Sequence, residues 1–233
     1  MICKTQWRTG TEFLPEDISP GEIHVWKISD APSGSFLTDA EQKKMAGIKN
    51  EDARIQYTRA RSALRLLGAR YTGKNPLDLI IDSEAHGKPF FPDAALHFNT
   101  SHCGNQMVIA FCRDCALGID IENGSRVRNP LALAKRFFAP GEFECLETLE
   151  DTMQRAAFLR YWVCKEAALK SSGHGLAGGL LQTTVEWGDT PVIHRGVDQK
   201  QLPALEFTPE EAFYGAIVAE SAIPLKNVKW FVL

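Results

Sequence analysis

The chain has 233 residues, 44% of them hydrophobic, with six cysteines and a formal net charge of −3. That is enough apolar material for one large domain or two of roughly 100–120 residues, and the mildly acidic balance gives no global reason to expect nucleic-acid binding. No stretch approaches the ~20 apolar residues of a membrane span, and residues 1–8 lack the apolar run of a secretory signal, so a cytoplasmic protein with free thiols and no membrane role is expected.

Residues 22–28 alternate like a first strand. Residues 35–39 offer an N-cap region ahead of a basic helical stretch over 39–49. A longer helix is predicted over 51–71, with apolar or small residues at Ala53, Tyr57, Ala60, Leu64 and Leu67. Arg54, Arg61 and Arg65 recur near helical spacing, as a solvated face or an anion site. A strand near 77–81, a turn at His86-Gly87-Lys88-Pro89 and a strand-like run over 96–99 follow. Residues 107–111 and 116–122 read as an antiparallel pair turning at Arg113-Asp114. Cys112 and Cys115 flank that turn and spell C-x-x-C, either a metal or redox pair or plain strand cysteines. From 128 to 171 the pattern is helical, interrupted at Pro140-Gly141 and Asp151. A glycine-rich loop over 173–179 leads to strands over 183–187, 205–208, 214–219 and 228–232. Strand–helices–strands therefore occurs once on each side of about residue 112.

The run Gly118-Ile119-Asp120-Ile121-Glu122 carries the most chemistry. Strand side chains alternate, so Ile119 and Ile121 share one face while Asp120 and Glu122 share the other. Two carboxylates side by side stay ionised most easily beside a cation, and oxygen ligands with room for water and phosphate suit Mg²⁺. In the helix over 158–170, Glu166 and Lys170 stand four apart in the favourable order, which a surface ion pair would also explain. Trp162 lies one turn earlier on the same face, and an apolar wall beside Glu166 suits a metal ligand or general base. Asn99-Thr100-Ser101-His102 places polar groups at a strand end, before the turn residue Gly104, where they either receive a phosphate or make ordinary turn bonds. The string Gly173-His-Gly175-Leu-Ala-Gly178 fits a dinucleotide fingerprint but follows a helix instead of a strand, so a helix cap and loop is the better account. P-loop, zinc-protease and serine-hydrolase motifs are absent from the sequence.

In order and spacing these parts resemble the 4′-phosphopantetheinyl transferases, specifically the two-lobed surfactin-synthetase-activating type. The resemblance runs through Gly87-Lys88-Pro89, Phe98-Asn-Thr-Ser101-His102, Gly118-Ile-Asp120-Ile-Glu122, Arg136-Phe-Phe138 with Glu142, and Trp162-Val-Cys-Lys165-Glu166-Ala-Ala-Leu-Lys170 leading into Gly173-His-Gly-Leu176. It implies an α+β fold of two pseudo-symmetric lobes, residues 1–112 and 113–233. Each would be a small antiparallel sheet packed with helices, with coenzyme A in the cleft between them. The implied reaction moves 4′-phosphopantetheine from coenzyme A to a serine of an apo acyl, peptidyl or aryl carrier protein and releases 3′,5′-ADP. By the same resemblance Asp120, Glu122 and Glu166 would hold Mg²⁺, with Glu166 also taking the serine proton. Lys170 would contact the pyrophosphate, Ser101 and His102 the coenzyme A phosphates, and Lys88 the adenine-nucleotide end. Lys44 and Arg54 are the preferred contacts for the 3′-phosphate, ahead of Lys43 and Arg61. A monomer is expected, since two fused lobes need no second chain. The alternative is a coenzyme A or carrier-protein binding module without catalysis.

Overall fold

The computed structural model describes residues 2–9, 17–29, 36–173, 179–221, 225 and 227–233. Strand β1 (Cys3–Lys4) is followed by β2 (Ile23–Lys27) and the helices α1 (Asp39–Ala46) and α2 (Glu51–Thr72). Thr38 starts α1 by accepting from Glu41 N–H, while Glu41 returns a bond to Thr38 N–H, a reciprocal capping box. Asn50 caps α2, and Gly73 ends it at a positive φ of 68°.

Two short strands, β3 (Asp82–Ser83) and β4 (Pro89–Phe90), frame the His86–Pro89 turn. The predicted strand over 77–81 is not formed there. Pairing starts at Asp82, because Leu79 leaves the surface to pack beside Phe91 and α2. Strand β5 (His97–Cys103) runs longer than expected and pairs residue for residue with β6 (Gln106–Cys112). Ser101 and His102 therefore lie near the end of this strand, just before the turn at Gly104, as expected.

Strand β7 (Leu117–Asn123) corrects a second expectation: it does not pair with β6. Its partner is β11 (Phe213–Ala219), with Asp120 opposite Ala216 and Glu122 opposite Tyr214. Between them lie α3 (Pro130–Phe137), α4 (Pro140–Glu147), α5 (Asp151–Ser172), β8 (Thr183–Glu186), β9 (Val192–Arg195) and β10 (Lys200–Thr208), and β12 (Val228–Val232) closes the chain. Pro140 starts a helix as its first residue, where a missing N–H costs nothing. Of the glycine-rich loop, residues 174–178 lie outside the described residues, as does Ser35.

Besides the β3–β4 pair, two larger sheets form among the described residues, β12-β2-β6-β5 and β7-β11-β10-β9-β8, with β1 joined to β10. Each is antiparallel apart from one pair, β12 with β2 and β1 with β10. The ends of the chain thus cross over: β1 serves the second sheet and β12 the first. Period-two alternation sorts the side chains into layers. Val25, Val108 and Ala110 meet Ile119, Ile121, Phe207 and Ile217 between the sheets. Trp26, Phe98, Ile109 and Phe111 face Ala63, Leu64, Leu67 and Tyr71 of α2. On the far side Ala204, Ala216 and Val218 face Phe158, Leu159, Val163 and Ala167 of α5. The outcome is an α+β layering, helix–sheet–sheet–helix, with the edge strands β5 and β7 meeting at a seam.

Candidate active site

At the seam, side chains replace the backbone ladder. Ile119 N–H donates to Asn99 Oδ1 at 2.9 Å, and Ile121 N–H donates to Ser101 Oγ at 3.2 Å. The exposed edge of β7 is satisfied by these two polar side chains of β5. Asn99 and Ser101 share a face only because β5 continues to Cys103. A strand ending at Asn99, as the sequence predicts, carries no such pairing; the role of Asn99 depends on the longer β5.

The helix side of β7 carries Asp120, 3% exposed, and α5 lies unusually close to it. A Cβ on Gly118 would stand 1.9 Å from Ala167 O and 2.5 Å from Ser171 N, so only glycine permits this approach. The approach carries Glu166 and Lys170 to the carboxylate. Lys170 Nζ donates to Asp120 Oδ1 at 2.6 Å and to Ser101 Oγ at 3.1 Å, and Ser101 Oγ donates to the same Oδ1 at 2.9 Å. The Glu166–Lys170 spacing therefore serves the seam and not a solvated helix face.

Three carboxylates share this neighbourhood with one ammonium. Burial, followed by repulsion from Asp120, pushes the Glu166 carboxyl up to about 7, although Lys170 opposes the rise. Glu122 is raised by burial and then by Asp120, while the Cys103 thiol donates to its Oε2 at 3.4 Å. The His102 imidazole is held below its usual range by partial desolvation and then by Lys170, with Asp120 opposing.

Among the described residues, no three His, Cys, Asp or Glu side chains already converge as a metal cage. The donor set nonetheless fits a hard cation. Among the described residues Asp120 Oδ2 is buried without a hydrogen-bond partner, and Glu166 is raised first by burial and then by the neighbouring Asp120 and Glu122.

A cleft opens beside Lys170, lined also by His86, Gly87, Lys88, Pro89, Asn99, Thr100, Leu169 and Gly173. Lys88 spans it: its Nζ donates to Ser171 O at 2.7 Å and Leu117 O at 3.4 Å, tying the 86–89 turn to the end of α5. Thr100, between Asn99 and Ser101 on β5, also lines the cleft, on the opposite face of the strand from those two residues. Neither Lys44 nor Arg54 is among the described residues lining the cleft. Lys44 Nζ lies 5.6 Å from the Tyr57 ring centre, and Arg54 stands 4.0 Å from Glu51.

Behind Glu166, Lys165 is wholly buried and forms an ion pair with Glu142, while its Nζ donates to Leu180 O at 3.0 Å. Glu142 also accepts from Ala139 N–H at 3.0 Å and Val185 N–H at 2.9 Å. This pair joins α4, α5 and β8 behind Glu166. Phe138 and Phe158 stack at 5.1 Å beside it, and Trp162 lies 5.5 Å from Phe158, so Trp162 packs into this aromatic cluster.

The seam, the three acids and the buried pair fall on or beside the segment that a known family matches. The family described as the 4′-phosphopantetheinyl transferase superfamily matches residues 116–218. The chain is 35% identical over 167 residues to 4′-phosphopantetheinyl transferase HetI of Nostoc sp., covering 67% of this chain and 70% of that protein. It is 31% identical over 169 residues to a 4′-phosphopantetheinyl transferase of Bacillus subtilis, covering 69% of this chain and 74% of that protein. Over a shorter 101 residues it is 36% identical to 4′-phosphopantetheinyl transferase Sfp of Bacillus subtilis strain 168, covering 43% and 44%. Two relatives above 30% identity, each matched over more than two thirds of its own length, establish the relationship: this chain belongs to the 4′-phosphopantetheinyl transferase superfamily.

Proposed function

We propose that this enzyme transfers 4′-phosphopantetheine from coenzyme A to a serine of an apo carrier protein at the β5–β7 seam, in a Mg²⁺-dependent reaction. The observation that carries the reading is the meeting of Asp120, Glu166, Lys170 and Ser101, drawn from three elements, beside a cleft that also holds Lys88. Asp120 and Glu166, with Glu122, would hold the cation, and the orphaned Asp120 Oδ2 is the oxygen best prepared for it. When bound, the cation supplies charge neutralisation for the pyrophosphate.

The remaining work falls to the chain's own groups. Glu166, raised to about 7, is poised to take the proton from the carrier serine hydroxyl near neutral pH. The serine oxygen then bonds to the β-phosphorus as the bond to the leaving 3′,5′-ADP breaks. Lys170 follows the charge, turning from Asp120 to the pyrophosphate. Lys88 and His102 contact the nucleotide half, and Ser101 acts through Asp120 because its hydroxyl is already committed there. Lys44 and Arg54 remain the proposed 3′-phosphate contacts. The same reading takes the halves 1–112 and 113–233 as the two lobes, with strands β1 and β12 exchanged between them, and a cytoplasmic monomer as the working form.

Incubation of the pure protein with coenzyme A, Mg²⁺ and a panel of apo carriers tests this by mass spectrometry. A phosphopantetheine-sized gain on a carrier serine is expected, lost on chelation. No gain on any of several unrelated carriers contradicts the transferase and leaves a binding module. Release of 3′,5′-ADP without a carrier would instead indicate a hydrolase.

A further inference from the structure

A cation of the second sheet stands behind the cleft, outside the set of residues that lines it. Arg195 ends β9, and its guanidinium reaches the last turn of α5. Nη1 donates to Ala168 O at 2.8 Å, to Ser171 Oγ at 3.0 Å and to Glu220 Oε1 at 2.5 Å. Nη2 donates to Glu220 Oε2 at 2.9 Å. Glu220 follows β11 and is fixed in its turn, because its N–H donates to Ala116 O at 2.9 Å, just before β7. Lys200 Nζ of β10 also donates to Glu220 Oε2 at 2.8 Å, and Ser171 Oγ donates to Oε1. The Arg195 and Glu220 side chains are each only 16% exposed, so this is not a screened surface pair.

What this clasp holds is the part of α5 that carries the site. Carbonyls at a helix C-terminus lack partners within the helix, and the negative end of the helix dipole lies there. Cations meet that end at Ala168 O, through Arg195, and at Ser171 O, through Lys88. Ser171 is thus held by Arg195 and Glu220 through its hydroxyl while its carbonyl holds Lys88. The residue before it is Lys170, whose Nζ lies on Asp120 Oδ1 and Ser101 Oγ. The same turn packs against β7, where a Cβ on Gly118 would stand 2.5 Å from Ser171 N. Both lysines of the cleft therefore depend on one turn of helix, Lys170 through the chain and Lys88 through a hydrogen bond. A guanidinium can bind Glu220 with both nitrogens and still reach Ala168 O, which the single ammonium of a lysine cannot do.

We propose, on the reading of this cleft as the coenzyme A site, that Arg195 is a positioning residue for the transfer: it holds the end of α5 so that Lys88 and Lys170 keep their places. An ion pair that only stabilised the fold would shift the unfolding midpoint and leave the response to coenzyme A unchanged.

Arg195→Met tests this, with Arg195→Lys as a milder variant that keeps the charge beside Glu220. In the ligand-free protein, amide hydrogen exchange should quicken in the last turn of α5 in Arg195→Met, and less so in Arg195→Lys. In steady-state transfer by Arg195→Met, KM for coenzyme A should rise about tenfold, as for a lost charge-assisted bond, and kcat should fall. Lys88→Ala combined with Arg195→Met should raise KM no further than the larger single change, because Arg195 acts through the anchor of Lys88. Wild-type exchange in both variants overturns the proposal whatever substrate the cleft takes. Where the wild type transfers, a normal KM in Arg195→Met overturns it, and so do independent, multiplying effects of Arg195→Met and Lys88→Ala. A wild-type protein that modifies no carrier fails the reading of the cleft itself, a result that the exchange measurement keeps separate.

Discussion

Ser101 Oγ donates to Asp120 Oδ1 at 2.9 Å while accepting from Ile121 N–H at 3.2 Å, so one hydroxyl both closes the seam and aims a carboxylate. Ser101→Ala removes these two bonds and the one from Lys170 Nζ, and leaves a buried N–H unpaired, a cost of about 1–3 kcal/mol. The change should lower kcat with little effect on KM for coenzyme A, because Ser101 acts through Asp120. A raised KM with normal kcat would return Ser101 to the coenzyme A contacts.

Gly118 is the hinge of the site's construction. Gly118→Ala places a methyl group against Ala167 O and Ser171 N, both backbone atoms of α5, which leaves no flexible side chain to yield. A loss of about 3 kcal/mol or more is expected, together with loss of transfer as Glu166 and Lys170 are pushed from Asp120. Urea titration reads the first effect and carrier modification the second. Wild-type stability in the variant would refute the close approach.

The buried Lys165–Glu142 pair gives a separable prediction. Glu142→Gln strands a buried ammonium and should cost about 3–5 kcal/mol, whereas Lys165→Met combined with Glu142→Leu should recover most of that loss. Thermal unfolding of the single and double variants measures the difference. If the double variant is no better than the single, the pair contributes more than mutual compensation.

The helices were legible because their signals are local: caps at Thr38 and Asn50, and glycines in the left-handed region at Gly73 and Gly173. Alternation likewise put Asp120 and Glu122 on one face. What local signals did not carry was pairing. Residues 107–111 and 116–122 look like a hairpin because they are adjacent, yet β7 pairs with β11 nearly a hundred residues later. The edge bonds from Asn99 and Ser101 depend on that arrangement, so the sequence showed the polar residues without their purpose. Strands β1 and β9 are short and lack a strong alternating pattern, which is why they went unpredicted.

Acid should weaken the first half of the protein through His24. Its side chain is fully buried, Nδ1 lies 2.9 Å from Tyr71 Oη, and burial outweighs the neighbouring Glu22 to bring the imidazole down to about 4. The folded value lies below the ordinary 6.5, so the unfolded chain binds the extra proton first. Stability from this group is present above about pH 6.5 and is lost as pH falls through about 4, on the order of 3 kcal/mol. Chemical denaturation between pH 7 and 4 should show that slope in the wild type and a shallower one in His24→Gln. Equal slopes would remove His24 as the cause.

The central claim is that the acids at the β5–β7 seam form one catalytic site, and single-turnover transfer to an apo carrier tests it most directly. Asp120→Asn and Glu166→Gln should each slow transfer by about 100-fold or more while the unfolding midpoint stays near that of the wild type. Near-normal transfer by either folded variant would contradict the account.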